Sequence, residues 1–283
     1  MSKFRNFSLV FGTYFICSIL TINVYGFDGP THKYVTETSL SILHDIGRTT
    51  ENVESDENTK SDKDGENAKS IYSDFYTDEV RDIILEYCVK PDEDETEGGF
   101  KWHFYNPATE LNFMGEKESA LTKFIKHYNA AIENYKTGYT TEAFQEFGRS
   151  LHFVEDLSTP VHTNYENFMD AGMKLSMHVE FEKRCVAVQD TCVATVKEEN
   201  LKYYLNNTKK IIGKACAYLS ADLFYSLEHK LLPQDIIAKH SVLNAQKVVV
   251  GLLNRFHHEI TQPSNYNESI KIGEKLSGET DIV

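Results

Sequence analysis

The stretch "SLHFVEDLSTPVH", residues 150–162, brings two imidazoles and two carboxylates into thirteen residues. His152 and Asp156 are four apart, so on a helix they stand one turn apart on one face. Phe144, Phe147, Leu151 and Leu157 fall on or near that face, which turns both polar groups toward a core. One such pair is ordinarily a buried hydrogen bond or a helix-surface pair. "MHVEFEKRC" (177–185) repeats the spacing with His178 and Glu182. Two imidazole–carboxylate pairs on separate helices match the way helical bundles present ligands inward to metals. Zinc accepts this mixture of imidazole nitrogen and carboxylate oxygen.

Three further histidines sit where a core helix would not need them. His162 lies just past the break at Pro160. His103 stands among aromatics in "KWHFYNP", and His32 opens the first periodic segment. The acidic stretch before His103 offers Asp92, Glu93 and Asp94. His44, His127, His229, His240, His257 and His258 have no comparable context and read as surface or packing residues.

The elements that must carry these groups are helical. Periodicity and stop signals predict helices over 31–47, ending at Gly47, and over 77–89, 118–138 and 141–157. Further helices are expected over 173–185, 199–229 and 233–259, with 90–107 as loop. Residues 48–70 are almost wholly polar and read as a flexible insertion. Strand signals are nearly absent. The expected fold is all-α, a single-domain helical bundle spanning 27–260, with a polar tail over 261–283.

The chain has 283 residues, 41% of them hydrophobic, enough for one sizeable core. Its first 26 residues follow the plan of a secretory signal peptide: Lys3 and Arg5, an apolar run, then Val24 and Gly26 before a cut at Phe27. An uncleaved anchor is the alternative, because the run is about long enough to span a bilayer. Cleavage removes two of 29 basic residues and none of the 43 acidic ones, so the formal charge falls from −14 to −16. Such a surface repels long polyanions, which disfavours generic nucleic-acid binding. Four cysteines remain, and an even count in a secreted chain predicts two disulfides. Cys185–Cys192 would close a short loop and leave Cys88–Cys216. Asn206 and Asn267 begin glycosylation acceptors for a eukaryotic secretory route.

Taken in order, His32, Asp92 in "KPDED", His103 in "HFYNP", "GRSLHFVEDLSTPVH" and "HVEFE" resemble the secreted zinc-dependent phospholipases C. These are trinuclear zinc enzymes of the bacterial lecithinase type. Their pattern runs His, Asp, "HFxDP", "LGxxLHxxGDxxxPxH", then "HxxxE". "LNAQKVVVGLLNRF" (243–256) is similar to their closing helix. The resemblance implies three zinc ions. One would take Asp92, His103, His152 and Asp156. A second would take His162, His178 and Glu182. The third would take His32, another oxygen of Asp156, and the backbone nitrogen and oxygen of Phe27, which stands where the family has tryptophan. Asp92 fits "PDE" better than Asp94 does, and is also the candidate acceptor of the proton of the attacking water. The implied reaction cuts the glycerol-side phosphodiester of phospholipids such as phosphatidylcholine at a membrane surface, by a monomer.

Three departures stand out. Asn106 replaces an aspartate, Glu155 replaces a small residue, and His32 follows Phe27 by only five residues. That short gap is more like the related single-strand nucleases, the main rival reading. Against the nucleases, the last pair ends in Glu182, not aspartate, and "HTNYENFMDAG" lacks their glycine–asparagine stretch. A non-catalytic, zinc-stabilised binding module is the second rival. After residue 260 no room is expected for a separate lipid-binding domain, so membrane contact would come from loops around the site.

Overall fold

The computed structural model describes residues 29–54, 70–94 and 99–262. Among them ten α-helices run in the order α1 (Gly29–Glu54), α2 (Asp78–Tyr87), α3 (Lys90–Asp94), α4 (Ala120–Lys136) and α5 (Thr140–Leu157). Then come α6 (Phe168–Met173), α7 (Leu175–Val188), α8 (Glu198–Asn206), α9 (Lys209–Glu228) and α10 (Gln234–Thr261). Short 3-10 turns cover Gly99–His103, Pro160–His162 and Gln189–Thr191. No strand occurs among the described residues, only an isolated bridge between Asn106 and Leu111. The all-α expectation holds.

Helix α5 is the hub. It is buried almost continuously from Ala143 to Leu157, with α4, α2 and α10 around it. Its apolar side closes on an aromatic layer in which Phe147 stacks on Phe256 of α10 at 4.2 Å. Helix α10 is long and apolar enough to cross a membrane. Its Val249, Val250, Leu252, Leu253 and Phe256 are fully buried in the core. Arg255 is buried with them, where its Nε donates to Glu259 at 2.7 Å and its guanidinium donates to the Tyr204 and Asn207 carbonyls. A second, smaller cluster of Phe104, Phe113, Tyr165 and Phe224 lies apart from this core.

Several expectations need correction. Helix α1 does not stop at Gly47 but runs on to Glu54. Gly47 is there for a close approach: a Cβ would sit 2.3 Å from Ser70 Oγ and 2.7 Å from Tyr72. Residues 48–54 of the expected insertion are therefore helical, Ser70 is buried, and 55–69 lie outside the described residues. The 90–107 segment contains α3 and a 3-10 turn. The helix expected over 199–229 breaks at Asn207, because the Thr208 hydroxyl caps a new helix by accepting from Ile211 N. The segment over 173–185 is longer and carries α6 before it. The expected disulfides are absent: Cys88, Cys185, Cys192 and Cys216 are all buried free thiols. Two of them bond locally instead, Cys88 Sγ to Leu85 O and Cys192 Sγ to Val188 O. Helix α10 runs through Thr261, the first residue of the expected 261–283 tail, while the expected signal peptide, Asn267 and residues 263–283 lie outside the described residues.

Candidate metal centre

The hub helix delivers the first candidate ligands. His152 and Asp156 are both fully buried on α5, with His152 Nε2 3.3 Å from Asp156 Oδ2. Helix α5 ends at Leu157, and the Pro160–His162 turn then carries His162 back to within 3.3 Å of Asp156 Oδ1. Helix α7 supplies His178 and Glu182, whose Nε2 and Oε1 are 2.6 Å apart. The 3-10 turn at Gly99–His103 supplies His103, 2.8 Å from Asp156 Oδ2. Helix α3 supplies Asp92, 3.4 Å from His152 Nε2 and 3.7 Å from His103 Nδ1. The first turns of α1 supply His32, stacked on His152 at 3.9 Å. Its Nε2 is 3.7 Å from Asp156 Oδ1.

Three sets of potential ligand atoms each fall within 4.8 Å: His32, Asp92 and His152; His103, His152 and Asp156; His162, His178 and Glu182. All eight expected side-chain positions thus converge. The structure puts His32 beside Asp92 and His152 as well as beside Asp156. The ninth expected position, Phe27, lies outside the described residues. Asp94 is half-exposed and pairs with Arg149, so it stands away from the cluster. Asn106 also takes no part in it. Its Oδ1 accepts from Ala108 and Thr109 N, and its Nδ2 donates to Tyr165 O. Among the described residues, none of the six other histidines joins these sets.

The outer nitrogens of the imidazoles are held from behind. His152 Nδ1 donates to Cys88 O, and His162 Nδ1 donates to His103 O, each at 2.9 Å. Tyr105 N donates to His162 O and locks the same two strands of chain together. Tyr165 Oη is 3.3 Å from His178 Nδ1. His32 Nδ1 meets Glu155 Oε2 at 2.5 Å. Anchoring one ring nitrogen this way turns the other inward as a lone-pair donor, as metal-binding imidazoles require.

The chemistry of the cluster fits a cation. Both oxygens of Asp92 and one of Asp156 are buried without a hydrogen-bond partner. Leaving such oxygens unpaired is costly unless a positive charge meets them. Burial alone would raise the Asp156 carboxyl, but the imidazoles of His152, His103 and His162 hold it well below its usual range. Burial would lower His162, yet Asp156 and Glu182 push it up to about 9. Carboxylates and imidazoles in the cluster thus hold each other's charge in a site closed to bulk water.

Beside it lies a pocket lined by Phe100, Phe104, Phe113, Tyr165, Phe168 and Leu175, with His178 in its wall. Phe104 stacks on His162 at 4.4 Å, so pocket and cluster share a face. The anchoring roles of Tyr165, Glu155 and Thr36 were not evident in the sequence. The nearest signals were Thr36 one helical turn after His32 and Tyr165 three residues after His162.

Fold and site together define an all-α protein built around a buried cluster of imidazoles and carboxylates with the make-up to hold metal ions. No family model matches the sequence. The phospholipase C of Paraclostridium bifermentans is 24% identical over 308 aligned positions, covering 100% of this chain and 71% of that protein. The phospholipase C of Clostridium haemolyticum is 24% identical, covering 61% of this chain and 48% of that protein. The alpha-toxin of Clostridium perfringens superposes with a TM-score of 0.64 at 20% identity, covering 85% of this chain and 66% of the toxin. The chain thus spans about half of the second relative and just under two thirds of the toxin. The sequence is similar to bacterial phospholipases C, and the all-α fold is that of the alpha-toxins.

Proposed function

We propose that this chain is a secreted zinc-dependent phospholipase C that hydrolyses the glycerol-side phosphodiester of phospholipids such as phosphatidylcholine. The products are diacylglycerol and a phosphorylated headgroup. One observation carries the reading: the buried Asp92 and Asp156 oxygens without hydrogen-bond partners, ringed by inward-facing imidazoles. Asp92, His103, His152 and Asp156 would hold one zinc, and His162, His178 and Glu182 a second. His32, Asp156 and the backbone of Phe27 would hold a third. Zinc supplies positive charge for the phosphate oxygens and lowers the pKa of a water toward about 7.

The chain's own groups do the rest. Asp92 accepts the proton of the attacking water; its side chain is only 5% exposed, which keeps bulk solvent from competing. Tyr165 and the His103 carbonyl orient His178 and His162. The aromatic pocket excludes water next to them and offers ring faces to a quaternary ammonium group, a contact of about 0.5–2 kcal/mol. The acidic surface favours the same zwitterionic headgroup over anionic ones.

The test is release of phosphocholine from phosphatidylcholine vesicles and of nucleotides from single-stranded DNA, each with and without a chelator. Phosphocholine release that chelation abolishes and zinc restores is expected. Release of nucleotides alone would favour the nuclease, and turnover of neither with zinc bound would favour a binding module.

A further inference from the structure

We infer that Glu155 is a positioning residue for the metal centre: its carboxylate accepts the His32 Nδ1 hydrogen and so presents Nε2 to the ligand cluster. The inference rests on the metal-centre reading above and adds a residue to it. Glu155 is fully buried on α5 between the two ligand positions His152 and Asp156. Its Oε2 is 2.5 Å from His32 Nδ1, and its Oε1 accepts from the Thr36 hydroxyl at 2.8 Å. His32 and Thr36 are one turn apart on α1, so that helix offers a matched pair of donors to the two oxygens. No lysine or arginine pairs with Glu155 among the described residues.

The plainer account makes Glu155 a polar clamp between α1 and α5. A fully buried carboxylate is an expensive clamp, and apolar packing of the same volume is often at least as stabilising. The identity of its partner decides the matter. His32 is stacked on His152, and its far nitrogen lies 3.7 Å from Asp156 Oδ1. His152 and His162 are held from behind by carbonyl oxygens, and His178 by a phenol. His32 is held by a carboxylate, the stronger acceptor, which raises the ligand strength of the opposite nitrogen. Glu155 is also where "LHFVED" departs from the pattern it resembles, so this device is a property of this chain.

The experiment is a zinc titration of the purified protein against a chromophoric chelator, read beside the ring 15N shifts of His32. Wild type should bind zinc with His32 protonated at Nδ1. Glu155→Gln keeps the shape and one acceptor, so it should fold yet weaken one zinc by about 10–100-fold. Thr36→Val frees one carboxylate oxygen and should weaken the same zinc less. Combining Glu155→Gln with His32→Ala should cost no more than His32→Ala alone. Unchanged zinc affinity in Glu155→Gln, or a His32 ring protonated at Nε2, would overturn the inference while leaving the metal centre standing. A wild-type protein that binds no zinc would instead overturn the reading of the site itself.

Discussion

Asp92 and Asp94 are two residues apart and belong to different environments. Asp92 is buried between His152 and His103, whereas Asp94 is half-exposed beside Arg149. Asp92→Asn keeps the size and removes both the charge and the proton acceptor. Turnover should fall by about 10²–10⁴-fold, the span of a positioned general base, with the fold retained. Asp94→Asn removes a surface pair worth about 0–1 kcal/mol and should leave turnover near wild type. Steady-state kinetics on the two variants checks this, and a larger loss in Asp94→Asn would reverse the assignment. The ligand candidates were legible because helical spacing puts His152 with Asp156 and His178 with Glu182. Glu155 was not, because its partner His32 is 123 residues away and no local pattern joins them.

At the level of elements, Gly148 sets the approach of α2 to the hub helix. A Cβ there would stand 2.8 Å from Ile84 O and 2.9 Å from Tyr87 Cβ. Only glycine lets the end of α2 rest on α5, and that contact brings Cys88 O to His152 Nδ1 and leads the chain into α3 and Asp92. Gly148→Ala should cost about 1–3 kcal/mol by overpacking and also weaken zinc binding, because His152 loses its anchor and Asp92 its register. Ile84→Val, in the same contact, should cost about 0.5–1.5 kcal/mol by losing a methylene but leave zinc binding intact. Denaturant unfolding and zinc competition on both variants test this. Equal zinc affinities would reduce Gly148 to a packing residue. Apolar periodicity predicted the main helices. It misread Gly47 as a stop, since that glycine answers a contact with Ser70 and Tyr72 made in the folded chain. It also ran past the cap at Thr208, where one hydroxyl outweighs continuous apolar spacing.

At the level of the molecule, periodicity and the near-absence of strand signals announced the helical class, and composition announced the size of the core. It misjudged the cysteines, because an even count says nothing about whether folded positions bring thiols together. Net charge makes a sharper statement. With a formal charge of −14, or −16 if the expected cleavage removes residues 1–26, the surface should repel anionic vesicles at long range, and salt should screen that repulsion. The Debye length falls from about 10 Å at 0.1 M to about 3 Å at 1 M. Contact of a quaternary ammonium with the aromatic pocket acts at short range and resists screening. Hydrolysis of phosphatidylcholine relative to phosphatidylglycerol should therefore exceed one at low salt. It should decline with added salt and level off still above one. Phe100→Leu removes a ring from the pocket without touching net charge. It should bring the high-salt ratio close to one and leave the salt-dependent part in place. A ratio near one at every salt concentration would mean that neither the surface charge nor the pocket selects the headgroup.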